Sequence, residues 1–147
     1  MKLNNIFVII ILLLSSCDIY AEWDSDKYPP IGRDTVMVMG DGRFRVNRYY
    51  DTNIFDMEYP KGSGHSTAHL LSDVDVSRRR HNKVYIHSKY GCAVVNEEDD
   101  TCMLYIAEEK PLFDAFRGYE QGLTFLNSYE EFNQEDKKFF ERILQKN

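Results

Sequence analysis

The chain has 147 residues, 43% apolar and 29% charged, with ten Tyr and nine Phe but only eight Gly and four Pro. That composition excludes a disordered, collagen-like or low-complexity chain and leaves room for one globular domain, not two. With 18 basic against 24 acidic residues the net charge is −6, which argues against a phosphate-backbone binder, and no nucleic-acid partner is expected.

Lys2 precedes a continuous apolar run of nine residues, Ile6 to Leu14. This is the pattern of an export signal over residues 1–16, and it is too short for a spanning helix, which needs about 20 apolar residues. The next four residues, Leu14-Ser15-Ser16-Cys17, resemble the bacterial lipobox: an aliphatic residue, two small residues and a cysteine. The small residues leave a narrow backbone for a peptidase, and the Cys17 thiolate is the nucleophile there that can take a diacylglyceryl group as a thioether. The resemblance implies cleavage before Cys17 and acylation of its new amine by a chain such as palmitate. At about 0.8 kcal/mol per buried methylene, several acyl chains hold a protein on a membrane stably. The alternative is ordinary secretion after Ile19-Tyr20-Ala21, which puts a bulky residue in the recognition site, far from the apolar run. Asp18, second in the mature chain, implies retention at the inner membrane with the domain facing the periplasm, if the host has two membranes.

Residues 17–33 are polar and broken by Pro29-Pro30, and read as a tether for one domain over 34–147. Thr35 to Met39, the turn Gly40-Asp41-Gly42, and Phe44 and Val46 alternating with Arg43 and Arg45 predict a hairpin with apolar residues inward and basic residues outward. Further strands are expected over Asn53–Tyr59, Leu70–Val76, Lys83–His87, Tyr90–Val95 and Thr101–Ile106, the last two flanking the acidic loop Asn96–Asp100. The run Arg78, Arg79, Arg80, with His81 and Lys83 behind it, reads as a solvated turn or strand edge. A short helix is expected after Pro111. Ser128 and Glu131 have capping-box spacing, and Phe132, Phe139, Phe140, Ile143 and Leu144 form one stripe, which predicts a helix within 128–146 starting as late as Asn133. The expected fold is α+β: a mainly antiparallel β meander of about six or seven short strands with a C-terminal amphipathic helix.

Setting Cys17 aside leaves Cys92 and Cys102, an even pair in an oxidising compartment, and a disulfide between them is expected. His65 and His69 are four apart, a metal-pairing interval on a helix, but the Gly and Ser around them disfavour a helix and no metal is expected. Ser63, Ser66, His65 and Asp73 contain the residue types of a hydrolytic triad without a Gly-x-Ser-x-Gly elbow. Glu97 to Asp100 lack the order of a calcium loop and read as a solvated hairpin tip. The candidate binding patch is Arg45, Arg48, Tyr49, Tyr50 and Phe55, aromatic and basic residues together.

Overall length, the lipobox with Asp18, one Cys pair and a terminal helix resemble the small prophage-encoded inner-membrane lipoproteins of enterobacteria, of the YafY/YfjS kind. The resemblance carries no catalytic residue. The expected function is a non-catalytic protein-binding or envelope-associated module without a cofactor, touching the membrane through its lipid and an unidentified protein through its domain. Immunity against a toxin is one alternative, and a small hydrolase another.

Overall fold

The computed structural model describes residues 27–29, 31–64, 67–107 and 121–146. Strands β1 (Thr35–Met39), β2 (Phe44–Tyr49), β3 (Thr52–Glu58) and β4 (Thr67–Leu71) form one sheet in that order. A second sheet contains β5 (Val74–Arg80), β6 (Lys83–Ser88), β7 (Gly91–Asn96), β8 (Thr101–Ile106) and β9 (Leu123–Leu126), also in chain order. All neighbouring strands are antiparallel except β8 and β9. A single 3-10 turn, Tyr129–Glu131, leads into α1, Gln134–Leu144. Among the described residues no helix is long and apolar enough to cross a membrane.

The layers follow from which faces are apolar. Met39, Phe44, Val46, Phe55, Met57 and Leu70 of the first sheet share one core with Val84, Ile86, Ala93, Val95, Cys102 and Leu104 of the second. The opposite face of the second sheet, with Val76, Tyr85, Cys92 and Val94, packs under Phe132, Phe140 and Ile143. The order is therefore sheet, sheet, helix. Buried on both sides, β7 reads Gly-Cys-Ala-Val-Val with five consecutive buried residues, the continuous apolar run of a doubly covered strand.

The mainly antiparallel α+β architecture agrees with the sequence, but the described residues contain nine strands rather than six or seven. One extra strand comes from the stretch Leu70–Val76, which alternates like a single strand. It is two, β4 and β5, separated at Ser72-Asp73 with Asp73 at φ 50°, and they belong to different sheets. The other is β9, four residues long and parallel to β8. The helix expected after Pro111 lies outside the described residues.

The helix starts at the late limit of the expected range, after Asn133. Asn133 is the N-cap: its Oδ1 accepts from the Asp136 amide at 2.8 Å, and its Nδ2 donates to Asp136 Oδ2 at 2.6 Å. The Ser128–Glu131 box is also formed, but it caps the 3-10 turn and not the helix. Asp136, 0% exposed, also accepts from Lys83 Nζ at 2.9 Å and from the Tyr85 hydroxyl at 2.7 Å. One carboxylate thus joins α1 to β6. Around it Tyr85 packs on Phe139 and Phe140, with ring centroids 4.3 and 5.4 Å away.

Cys92 and Cys102 are free thiols, and this corrects the expected disulfide. Cys92 lies opposite Tyr105 and Cys102 opposite Val95. More decisively, Cys102 points into the core between the sheets and Cys92 toward the helix layer, so the sheet itself separates the two sulfurs. Burial pushes the Cys92 thiol up to about 12 and the Cys102 thiol also upward.

Removing Asp136 strands Lys83 and Tyr85, so Asp136→Ala should lower unfolding free energy by about 3 kcal/mol in urea titration, and Tyr85→Phe by about 1 kcal/mol. Iodoacetamide at pH 8 should leave Cys92 and Cys102 unmodified in the native protein and label both in denaturant. Native labelling at the rate of an exposed thiol, or a mobility shift on reduction, would contradict the buried thiol pair.

Candidate functional site

The outer face of the first sheet carries three of the five buried polar or charged side chains among the described residues. Alternation puts Phe44 and Val46 of β2 inward and Arg45, Asn47 and Tyr49 outward, with Asp56 and Glu58 of β3 and Thr67 and His69 of β4 beside them. An exposed sheet face would leave these residues in water. Here Arg45, Asp56 and Glu58 are 3%, 0% and 7% exposed.

Their cover is the segment leading into β1. Tyr28 is buried, the Lys61 amide donates to the Lys27 carbonyl at 2.9 Å, and the Arg48 amide donates to the Asp34 carbonyl at 2.7 Å. Arg45 donates through Nη2 to the Pro29 carbonyl and through Nε to the Gly42 carbonyl. The last residues of the expected tether are therefore a strap folded along β2. Beneath the strap a hollow of about 230 Å³ is lined by Pro29, Thr35, Arg45, Asn47, Tyr49 and Glu58, among others.

The charged groups in this face hold one another. The guanidinium of Arg45 lies 4.0 Å from Glu58 Oε1, and Thr67 donates to Glu58 Oε2 at 3.1 Å. Burial lowers the Arg45 pKa, with Glu58 opposing that shift. Asp56 accepts from Asn47 Nδ2 at 2.8 Å and pairs with His69 Nδ1 at 2.5 Å, while Thr35 Oγ1 donates to Asn47 Oδ1 at 2.8 Å. Burial pushes the Asp56 carboxyl up, and its bonds to His69 and Asn47 pull it down. Next to the pair, Tyr49 meets the His69 ring edge to face, 5.7 Å between centroids. The Tyr49 phenol is pushed up by burial first and then by the negative Asp56, Glu58 and Asp34.

The expected binding patch divides. Arg45 is buried under the strap and Phe55 is 0% exposed in the core, stacked on Phe44 at 6.0 Å, so both are corrected from surface to interior positions. The physical reason is register: Phe55 points inward opposite Val46, and the strap covers Arg45. Arg48, Tyr49 and Tyr50 remain exposed, at the tip joining β2 to β3. Tyr50 is 99% exposed and holds φ 53°. Val36, 46% exposed, lines a shallow hollow with Arg33, Asp34 and Arg48, and sequence reasoning missed it because Val in an alternating strand reads as core.

The other candidates separate. Cys17, Asp18, His65 and Ser66 lie outside the described residues. Asp73 accepts from Thr52 Oγ1 at 2.7 Å and pairs with Lys89 at 2.9 Å, so its carboxylate is engaged in a turn. Glu97 takes both donors of Arg79 at 2.8 Å and accepts from the Gly40 amide, while Asp100 accepts from the Asp41 amide at 3.1 Å. The acidic loop is thus a clasp between the sheets. Among the described residues no group of three His, Cys, Asp or Glu is placed to hold a metal. Arg80 pairs with Glu135 and covers the Phe139 ring, so most of the basic run is also in use. Comparison with protein-family models, with curated proteins and with solved structures finds no match for this chain.

Proposed function

We propose that this chain is a lipid-anchored, periplasm-facing module of the inner membrane that binds a protein partner, without catalysis, through the surface around Tyr50. The observation that carries the reading is Tyr50 itself. A bulky side chain in the left-handed region costs of order 1–3 kcal/mol, and this one, at φ 53° and 99% exposed, gains no packing in return. Glycine or asparagine would close the same turn more easily. Tyr49, Arg48 and Val36 beside it supply the aromatic, guanidinium and apolar groups from which protein interfaces take most of their energy.

Chain direction supports the same reading. The described part of the strap runs from Lys27, which pairs with Asp41 near the β1–β2 turn, to Asp34 beside Arg48. Those points are at opposite ends of β2, six residues or roughly 20 Å apart. Ten residue steps separate Cys17 from Lys27, at most roughly 35 Å of extended chain. The anchored chain would thus join the domain toward the end of β2 opposite the Tyr50 tip, and a tether of that reach leaves the tip free to face a partner in the periplasm.

Two substitutions test the two halves of this proposal. Cys17→Ala should abolish labelling by a radiolabelled fatty acid and leave a precursor of full length; normal maturation would remove the anchor. Tyr50→Gly should raise unfolding free energy by about 1 kcal/mol by relieving the backbone and should eliminate a partner that the wild-type lipoprotein co-purifies with after crosslinking in cells. A partner retained in full by that stabilised variant would rule out the tip as the binding surface.

A further inference from the structure

We propose that Asp56 and His69 form a proton-controlled switch beneath the binding surface: protonation of His69 charges the ring against which Tyr49 packs, so that the hold on Tyr49 changes with pH. The consequence for partner binding rests on the reading of Tyr49 and Tyr50 as that surface; the coupling between His69 and Tyr49 stands without it.

The geometry is a hydrogen-bonded line across four strands. Thr35 on β1 donates to Asn47 on β2, Asn47 donates to Asp56 on β3, and Asp56 meets His69 Nδ1 on β4. One end of the line is the half-buried Thr35, the fully buried Asp56 lies within it, and the other end is an imidazole whose side chain is 57% exposed. Asp56 has no exposed surface, so an imidazolium is the partner that cancels its charge. A neutral imidazole still donates Nδ1–H to Asp56, but the carboxylate then keeps its full charge with two neutral donors. The line is therefore retained in both states while its net charge changes by one.

The groups facing His69 leave it as the variable member. Asp56 of β3 bonds it and Tyr49 of β2 packs on it, while Glu58 of β3 and Asp34 of the strap act on Tyr49, and Arg45 lines the neighbouring hollow. Arg45 and Glu58 neutralise each other, with Thr67 of β4 also held on Glu58. Asp34 is exposed to solvent. Histidine is the side chain whose ordinary titration falls between pH 5 and 8, where carboxylates, phenols and guanidinium groups ordinarily keep one state.

Tyr49 is the reporter that connects this pair to the surface. Its ring stands at 84° to the His69 ring, an edge-to-face contact whose strength depends on the charge that the imidazole carries. Tyr49 is also the residue that precedes Tyr50 in the tip. The hold on the Tyr49 ring should therefore differ between low and high pH, and high pH leaves one more negative charge under the surface. His87, paired with Asp75 on the second sheet at 2.8 Å, is a carboxylate-bonded histidine away from the tip and serves as an internal control.

The test is an NMR titration of the full mature chain in detergent micelles from pH 5 to 8. The Tyr49 ring and Tyr50 amide resonances should shift with the same midpoint as the His69 ring. In His69→Gln those shifts should disappear while His87 titrates as before, which also shows that the variant is folded. Tyr49 and Tyr50 resonances that stay fixed while His69 titrates, or that keep the wild-type midpoint in His69→Gln, would overturn the switch. Partner capture by Tyr50→Gly tests the surface and not this coupling, so the two readings fail separately.

Discussion

The five-stranded sheet is apolar on both faces, and such a sheet persists in water only between two other layers. On β7, Ala93 and Val95 face the first sheet while Cys92 and Val94 face the helix, so exposing either side would return a row of buried side chains to solvent at about 25 cal/mol per Å². The helix cannot provide its own stability, since 11 residues are too few for an isolated helix in water. Helix and sheet face therefore form together. Asp136 fixes how they meet, because its carboxylate reaches Lys83, Tyr85 and Asn133 only in one placement of α1 on β6.

The first sheet meets a different constraint. Its inner face is covered by the second sheet, but its outer face carries ionisable groups, which become costly once the strap removes water. Pairing offsets that cost: Arg45 with Glu58, and Asp56 with His69 and Asn47. The rim is closed by the loop from Glu97 to Asp100. Gly40 is required there, because a Cβ would approach Asp100 Oδ1 to 1.9 Å and the backbone is at φ 58°. Acidic residues that look like a solvated tip in sequence are hydrogen-bond acceptors for the neighbouring turn and for Arg79.

What was legible in the sequence was local. Strand alternation, the Gly40-Asp41-Gly42 turn and the Ser128–Glu131 capping box each depend on a few neighbouring residues, and each appears where its pattern lies, although the box caps the 3-10 turn and not the helix. What was not legible depended on distant partners. The break at Ser72-Asp73 is set by the change from one sheet to the other, and β9 is a strand because β8 offers it an edge. The cysteines show the same limit: compartment and count suggested a bond, yet the parity of two strand registers places the sulfurs on opposite faces. In the binding patch, Arg48, Tyr49 and Tyr50 were legible as surface, whereas Arg45 needed knowledge of the strap and Phe55 of the register.

Arg45 and Tyr50 differ in a way that bears on function. Arg45 breaks the rule that charges stay in water, and the structure compensates it with Glu58 and two backbone carbonyls. Asp73 and Asp100 break the rule against positive φ, and each recovers part of the cost through side-chain hydrogen bonds to a neighbouring strand or turn. Tyr50 breaks the same backbone rule with its ring in solvent. A departure compensated inside the fold belongs to stability. The proposed binding surface accordingly rests on the tip, where the fold itself returns nothing for the backbone cost, and not on the buried charges behind it.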